Sequence, residues 1–201
     1  FATLANEIVA IGGTYTSDLQ LDMRASYILT SQLFMSGSST LSIANGTSIY
    51  AIPPRKSTYD PLGLGASPAP AIVIESGASI SATGMSSSPI TMTTILTESA
   101  LADSTMATTD TASSSGSIAL GARGKWGGLI LLGNAPTSAA TPKVIEGISG
   151  KTYGGSNPTD SSGTLQYVRV WHGGAIVGAD NEINGITFGG VGSGTTVESC
   201  E

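Results

Sequence analysis

Thr40-Leu41-Ser42-Ile43-Ala44-Asn45-Gly46-Thr47-Ser48-Ile49 aligns without a gap on Ala71-Ile72-Val73-Ile74-Glu75-Ser76-Gly77-Ala78-Ser79-Ile80. Each decamer reads as a short β-branched strand, a polar turn closed by glycine, and a second apolar start. Gly46 and Gly77 are the residues able to supply the positive φ that a sharp corner needs. Val144-Ile145-Glu146-Gly147-Ile148 and Ile183-Asn184-Gly185-Ile186 keep the same grammar, as does the glycine-rich run around Gly192. We therefore read Gly46, Gly77, Gly147, Gly185 and Gly192 as structural corners. Short strands with glycine corners, repeated at variable spacing, predict a β-solenoid whose turns bury their apolar side only by stacking on one another. A sandwich or jelly roll shares the short strands, but the gapless repeat favours the solenoid.

The rest of the chain supports an all-β reading. Long segments of period 3.6 are missing, and strand-like runs recur at Leu129–Leu132, Leu165–Trp171, Ile183–Phe188 and Thr195–Glu198. Several runs are continuously apolar, which suits strands covered on both faces. Two insertions interrupt the pattern. Residues 53–70 hold five prolines and cannot be a central strand. Residues 98–116 are rich in Ala, Ser and Thr, and read as a surface loop or a loop with a short helix.

Composition narrows the partners. The 201 residues, at about 100–200 residues per domain, make one β-helix domain over 1–201 the default, with a piece of a longer solenoid as the alternative. Only 11% are charged and the net charge is −6, so a phosphate-binding surface is not expected and nucleic acid is excluded as a partner. No apolar run reaches the roughly 20 residues that span a bilayer, so membrane insertion is not expected. Ser and Thr make up roughly a quarter of the chain, a composition that suits an extracellular surface. The chain begins with Phe1 and reads as a mature or partial product. Its only cysteine, Cys200, is either a buried thiol or half of an intermolecular disulfide.

Against this background one stretch is familiar. Lys125-Trp126-Gly127-Gly128-Leu129-Ile130-Leu131-Leu132-Gly133-Asn134-Ala135-Pro136 resembles a motif of secreted bacterial repeat proteins. Ile145-Glu146-Gly147, Tyr153-Gly154-Gly155, Asp160 to Arg169 and Asn181 to Val197 follow in that family's order. The resemblance implies a right-handed parallel β-helix, of the kind found in lipoproteins and surface proteins of the type IX secretion system. It is nearly silent on activity.

Candidate chemistry is sparse. Polysaccharide lyases and hydrolases of the β-helix type need paired carboxylates, or carboxylates around calcium with a base nearby. The resemblance implies that Glu146, Asp160 and Glu182 sit at corners, where they are expected to cap N–H groups, so no catalytic residue, cofactor or metal site is assigned, with structural calcium left open. His172 has no second metal-ligating neighbour close in sequence. Tyr167, Arg169 and Trp171 stand at period two and are expected on one strand face; with Trp126, the aromatics are candidates for glycan stacking or for packing. Asn45-Gly46-Thr47 is a glycosylation sequon at a corner. The leading expectation is a non-enzymatic extracellular structural or adhesive module whose copies associate through their end coils. The alternative is a polysaccharide-binding module or a β-helix lyase or hydrolase, with cell-surface glycans as partners.

Overall fold

A computed structural model of the chain describes residues 7–54, 66, 68–96, 123–138, 142–178 and 181–201. The insertion at 98–116 and most of that at 53–70 lie outside the described residues. Among the described residues there is no helix, and the strands stack as parallel rungs.

The first coil is β1 (Glu7–Tyr15) and β2 (Leu19–Leu21); the second is β3 (Ala25–Met35) and β4 (Thr40–Ile43). The third runs through β5 (Ser48–Ala51), β6 (Ala71–Ile74) and β7 (Ser79–Thr83). The fourth is β8 (Ile90–Thr94) and β9 (Gly128–Leu132). It then leaves the column through a small hairpin of β10 (Lys143–Val144) and β11 (Thr152–Tyr153) before returning as β12 (Gly163–Gln166). The fifth begins with β13 (Val168–Val170), makes a second hairpin from β14 (Ile176–Gly178) and β15 (Asn181–Glu182), and ends with β16 (Ile186–Gly189) and β17 (Thr196–Glu198).

Pairing sorts these rungs into three faces. The long strand β3 pairs along its length with β1, then divides: residues 26–29 pair with β5 and residues 33–35 with β6. One stack continues through β5, β8 and β13, the second through β6, β9 and β16. The third face is β2, β4, β7, β12 and β17. Among the described residues every pairing between rungs is parallel, whereas the two hairpins and the single bridge Met85–Ser88 are antiparallel.

The interior is a set of apolar ladders. On the third face Leu21, Ile43, Ala82 and Leu165 sit directly above one another, all buried. Leu33, Ile72 and Leu129 form a second ladder; Met35, Ile74 and Leu131 form a third. Alternate residues of β3, β4, β5 and β8 face outward. The continuous apolar runs β6 and β9 are buried at every position, as their composition predicts. Their outward residues Ala71, Val73, Ile130 and Leu132 pack with Ile148 and Ile183, forming a satellite core beneath the two excursions.

Corners follow the sequence reading only in part. Gly46 (φ 75) and Gly77 (φ 93) take the left-handed turn between rungs. Gly147 is also left-handed, but it closes the β10–β11 hairpin outside the column, because Val144 pairs antiparallel with Thr152. Gly185 and Gly192 are not left-handed. At Gly192 glycine is needed for room, since a Cβ there would collide with the Asp160 backbone. The expected single strand Leu165–Trp171 is cut at Tyr167 (φ 50), and Ser199 (φ 52) makes the same one-residue corner one coil later.

Removing a rung from the third-face ladder tests the stacking. Leu165→Ala should cost about 2–5 kcal/mol in urea unfolding, whereas Met23→Ala, at a residue 59% exposed, should stay within about 0.5 kcal/mol.

Candidate functional site

Among the described residues two regions gather side chains with chemistry to offer, and they lie on different faces. On the outer surface of the first face, Tyr50 stands opposite Thr93 in the register of β5 and β8. Trp171 continues that line one rung on, its N–H donating to Met92 O at 2.9 Å. Rungs are about 4.8 Å apart, so Tyr50 and Trp171 are separated by about 10 Å along the column. Arg169 lies over the Trp171 ring, with its guanidinium carbon 5.4 Å from the ring centroid, and its Nε is 3.3 Å from Glu201 Oε2. His172, left-handed at φ 62, meets the Trp171 ring edge-on and places Nδ1 2.7 Å from Thr93 Oγ1. All five side chains from Tyr50, Thr93, Arg169, Trp171 and His172 are half-buried.

The three candidate aromatics separate. Trp126 is 1% exposed in the main core and donates Nε1–H to Trp171 O at 2.7 Å, so it packs and cannot stack on a glycan. Tyr167 does not share a face with Arg169 and Trp171: its left-handed backbone ends β12 and starts β13, which belong to different faces. Of the expected trio, Arg169 and Trp171 remain together. No local pattern marks Thr93 and Tyr50 as their neighbours, because only the stacking of coils brings them there.

The second region is a cleft of about 510 Å³ beside the β10–β11 hairpin. Its walls include Ser76 after β6, Asn134 after β9, and Thr152 to Ser156. A clamp holds the excursion nearby. Glu75 accepts from Ser36 Oγ at 2.7 Å and from Lys151 Nζ at 2.6 Å, and Lys151 also lies 4.8 Å from the Phe34 ring centroid.

Among the described residues carboxylates do not converge. Among the described residues no group of three or more His, Cys, Asp or Glu is placed to hold a metal ion. Corner capping is performed by Asp18, which accepts from Thr40 N at 2.9 Å, and by Asp22, which accepts from Arg24 N at 2.9 Å. The side-chain hydrogen bond from Arg24 holds the Asp22 carboxyl below its ordinary pKa, on an exposed turn far in sequence from either region. Glu146 is exposed in the hairpin turn. Asn45 is half-buried in the turn before Gly46. Cys200 packs against the main core, its thiol 3.4 Å from Glu198 O and 3.7 Å from Leu165 O; an interchain bridge would require it to give up both contacts.

A family model described as "Pectate-lyase like beta helix domain" matches the chain twice, at residues 13–105 and 111–201. The chain belongs to the pectate-lyase-like β-helix family. No curated protein and no solved structure matches it. In this β-helix family member the motifs that looked familiar in sequence are largely architectural. Gly133 donates its N–H to Gly189 O, Ala135 to Gly190 O, and Gly154 to Gly133 O, so three glycine motifs meet at one edge of the column.

The two tryptophans should behave oppositely. Trp126→Phe strands the Trp171 carbonyl and should cost about 1–3 kcal/mol of stability. Trp171→Phe removes a buried Nε1 that has no partner, and should cost under about 1 kcal/mol by the same chemical denaturation.

Proposed function

We propose that this β-helix is an extracellular, non-catalytic module that binds an acidic polysaccharide lengthwise on its first face. The observation that supports this most is the outward line of Tyr50, Thr93 and Trp171 with Arg169 beside it. Aromatic rings offer sugar rings an apolar surface while leaving hydroxyls free to hydrogen-bond. Arg169 adds a fork of donors suited to a uronate carboxylate, and it would exchange the exposed Glu201 for that ligand. The roughly 10 Å between the aromatic positions is close to the length of a disaccharide.

Binding fits these groups better than cleavage. Eliminating a uronate needs a base beside a cation held by several carboxylates, and among the described residues the carboxylate at this patch, Glu201, is paired with Arg169. Affinity electrophoresis in polygalacturonate should retard the protein, and Trp171→Ala or Arg169→Gln should weaken that retardation by about tenfold in Kd. No unsaturated uronate should accumulate; its appearance would establish a lyase, and an unaffected Trp171→Ala would remove the patch from the account.

A second reading, assembly through an end coil, has its own observation. Phe188 and Val197 continue the inward ladders of Leu131 and Leu165, yet they are 43% and 45% exposed. A further coil laid on β16 and β17 would cover both, whether it came from this chain or from another copy. Under this reading sedimentation velocity should show association that rises with concentration and weakens in Phe188→Ser; a single monomeric boundary throughout would dismiss it.

A further inference from the structure

We infer that the cleft beside the β10–β11 hairpin is a second saccharide subsite, selective for an uncharged sugar unit. The inference rests on the saccharide-binding reading above and names a ligand class for a different place on the column. Three features of the cleft support it.

The first is the chemistry of the walls. Among the described lining residues none is charged, and Ser76, Asn134, Thr152 and Ser156 each bring a hydroxyl or amide that both donates and accepts. Sugar hydroxyls have the same dual character. An anionic ligand would find no counter-charge on these walls, and a wholly apolar one would leave these polar groups unpaired. The nearest described ion pair, Glu75 with Lys151, is already closed at 2.6 Å, so neither group is offered to a ligand.

The second is the presence of an aromatic wall. Tyr153 lines the cleft while its ring rests against Gly189, where a Cβ would stand only 2.8 Å from Tyr153 Cγ. Glycine at 189 thus lets the ring approach the backbone of the fifth coil closely. Such a ring, packed on one side, is a fixed platform rather than a mobile one, which lowers the entropic cost of binding.

The third is rigidity of the backbone around the opening. Gly154 N donates to Gly133 O at 2.9 Å, Gly155 N to Ala135 O at 3.0 Å, and Asn157 N to Asn134 O at 2.9 Å. These bonds pin the returning arm of the excursion to the end of β9. The opposite lip, Ser76, lies in the corner after β6, which is itself buried along its length. The volume of about 510 Å³ falls in the range of small-molecule sites and has room for a short oligosaccharide.

Isothermal titration calorimetry on the whole chain tests this, with cellohexaose, mannohexaose and xylohexaose as neutral probes and tetragalacturonate as the acidic one. At least one neutral probe should bind. Ser156→Trp, which fills the cleft from an exposed position, and Ser76→Glu, which introduces a charge, should each weaken it by about tenfold or more. Met23→Ala, at an exposed residue outside both regions, should leave it unchanged. Circular dichroism melting curves superimposable on the parent would show that both cleft variants fold. If tetragalacturonate binds and no neutral probe does, or if neutral binding survives both cleft substitutions, the subsite is refuted while the first-face reading stands. If no probe of either kind binds, the saccharide reading itself falls along with the subsite.

Discussion

Parallel register is the constraint from which everything else in this molecule follows. A rung of four residues has too little apolar surface to hold itself, so each coil is stable only when its inward side chains land on those of the next. Leu21, Ile43, Ala82 and Leu165 meet that condition by direct superposition. A slip of one residue would turn every inward side chain outward, so the register is held strongly wherever the interior is apolar. The low charge of the chain follows: inward and corner positions together leave few places where a charged side chain would not be desolvated.

The same constraint explains why the surface chemistry is built from distant parts of the sequence. Tyr50, Thr93 and Trp171 belong to three successive coils, and Ser76, Asn134 and Tyr153 to two coils and an excursion. Neither set could be assembled without the column. Each is placed by backbone pairing rather than by contacts among its own members, which is how a rigid scaffold positions a binding surface at little cost in conformational entropy.

What was legible in the sequence was local. The decamer repeat identified the rungs, Gly46 and Gly77 identified their corners, and the unbroken apolar runs of β6 and β9 announced strands covered on both sides. Features decided by tertiary context were not legible. Tyr167 has no local reason to be left-handed, a conformation that costs a non-glycine residue about 1 kcal/mol or more. The adjoining rungs impose it, and a run that reads as one strand becomes two. Trp126 reads equally well as a surface ring or as a core residue until the coil closes over it. Gly147 obeys the corner pattern but serves a hairpin, because the pattern records that the chain turns and not which way its partner runs.

In the third, fourth and fifth coils the long connections between the first and second faces all fall at the same seam: residues 52–70, 95–127 and 171–185 each link a first-face strand to its second-face successor. The two earlier coils cross that seam as one uninterrupted strand. Lengthening a flexible connection there adds only about 0.6 kcal/mol of closure entropy for each doubling, and it leaves the stacked rungs untouched. Relatives built on this plan can therefore differ widely in size while keeping an identical barrel of ladders. For the protein engineer, the seam is the natural port at which to graft foreign peptides.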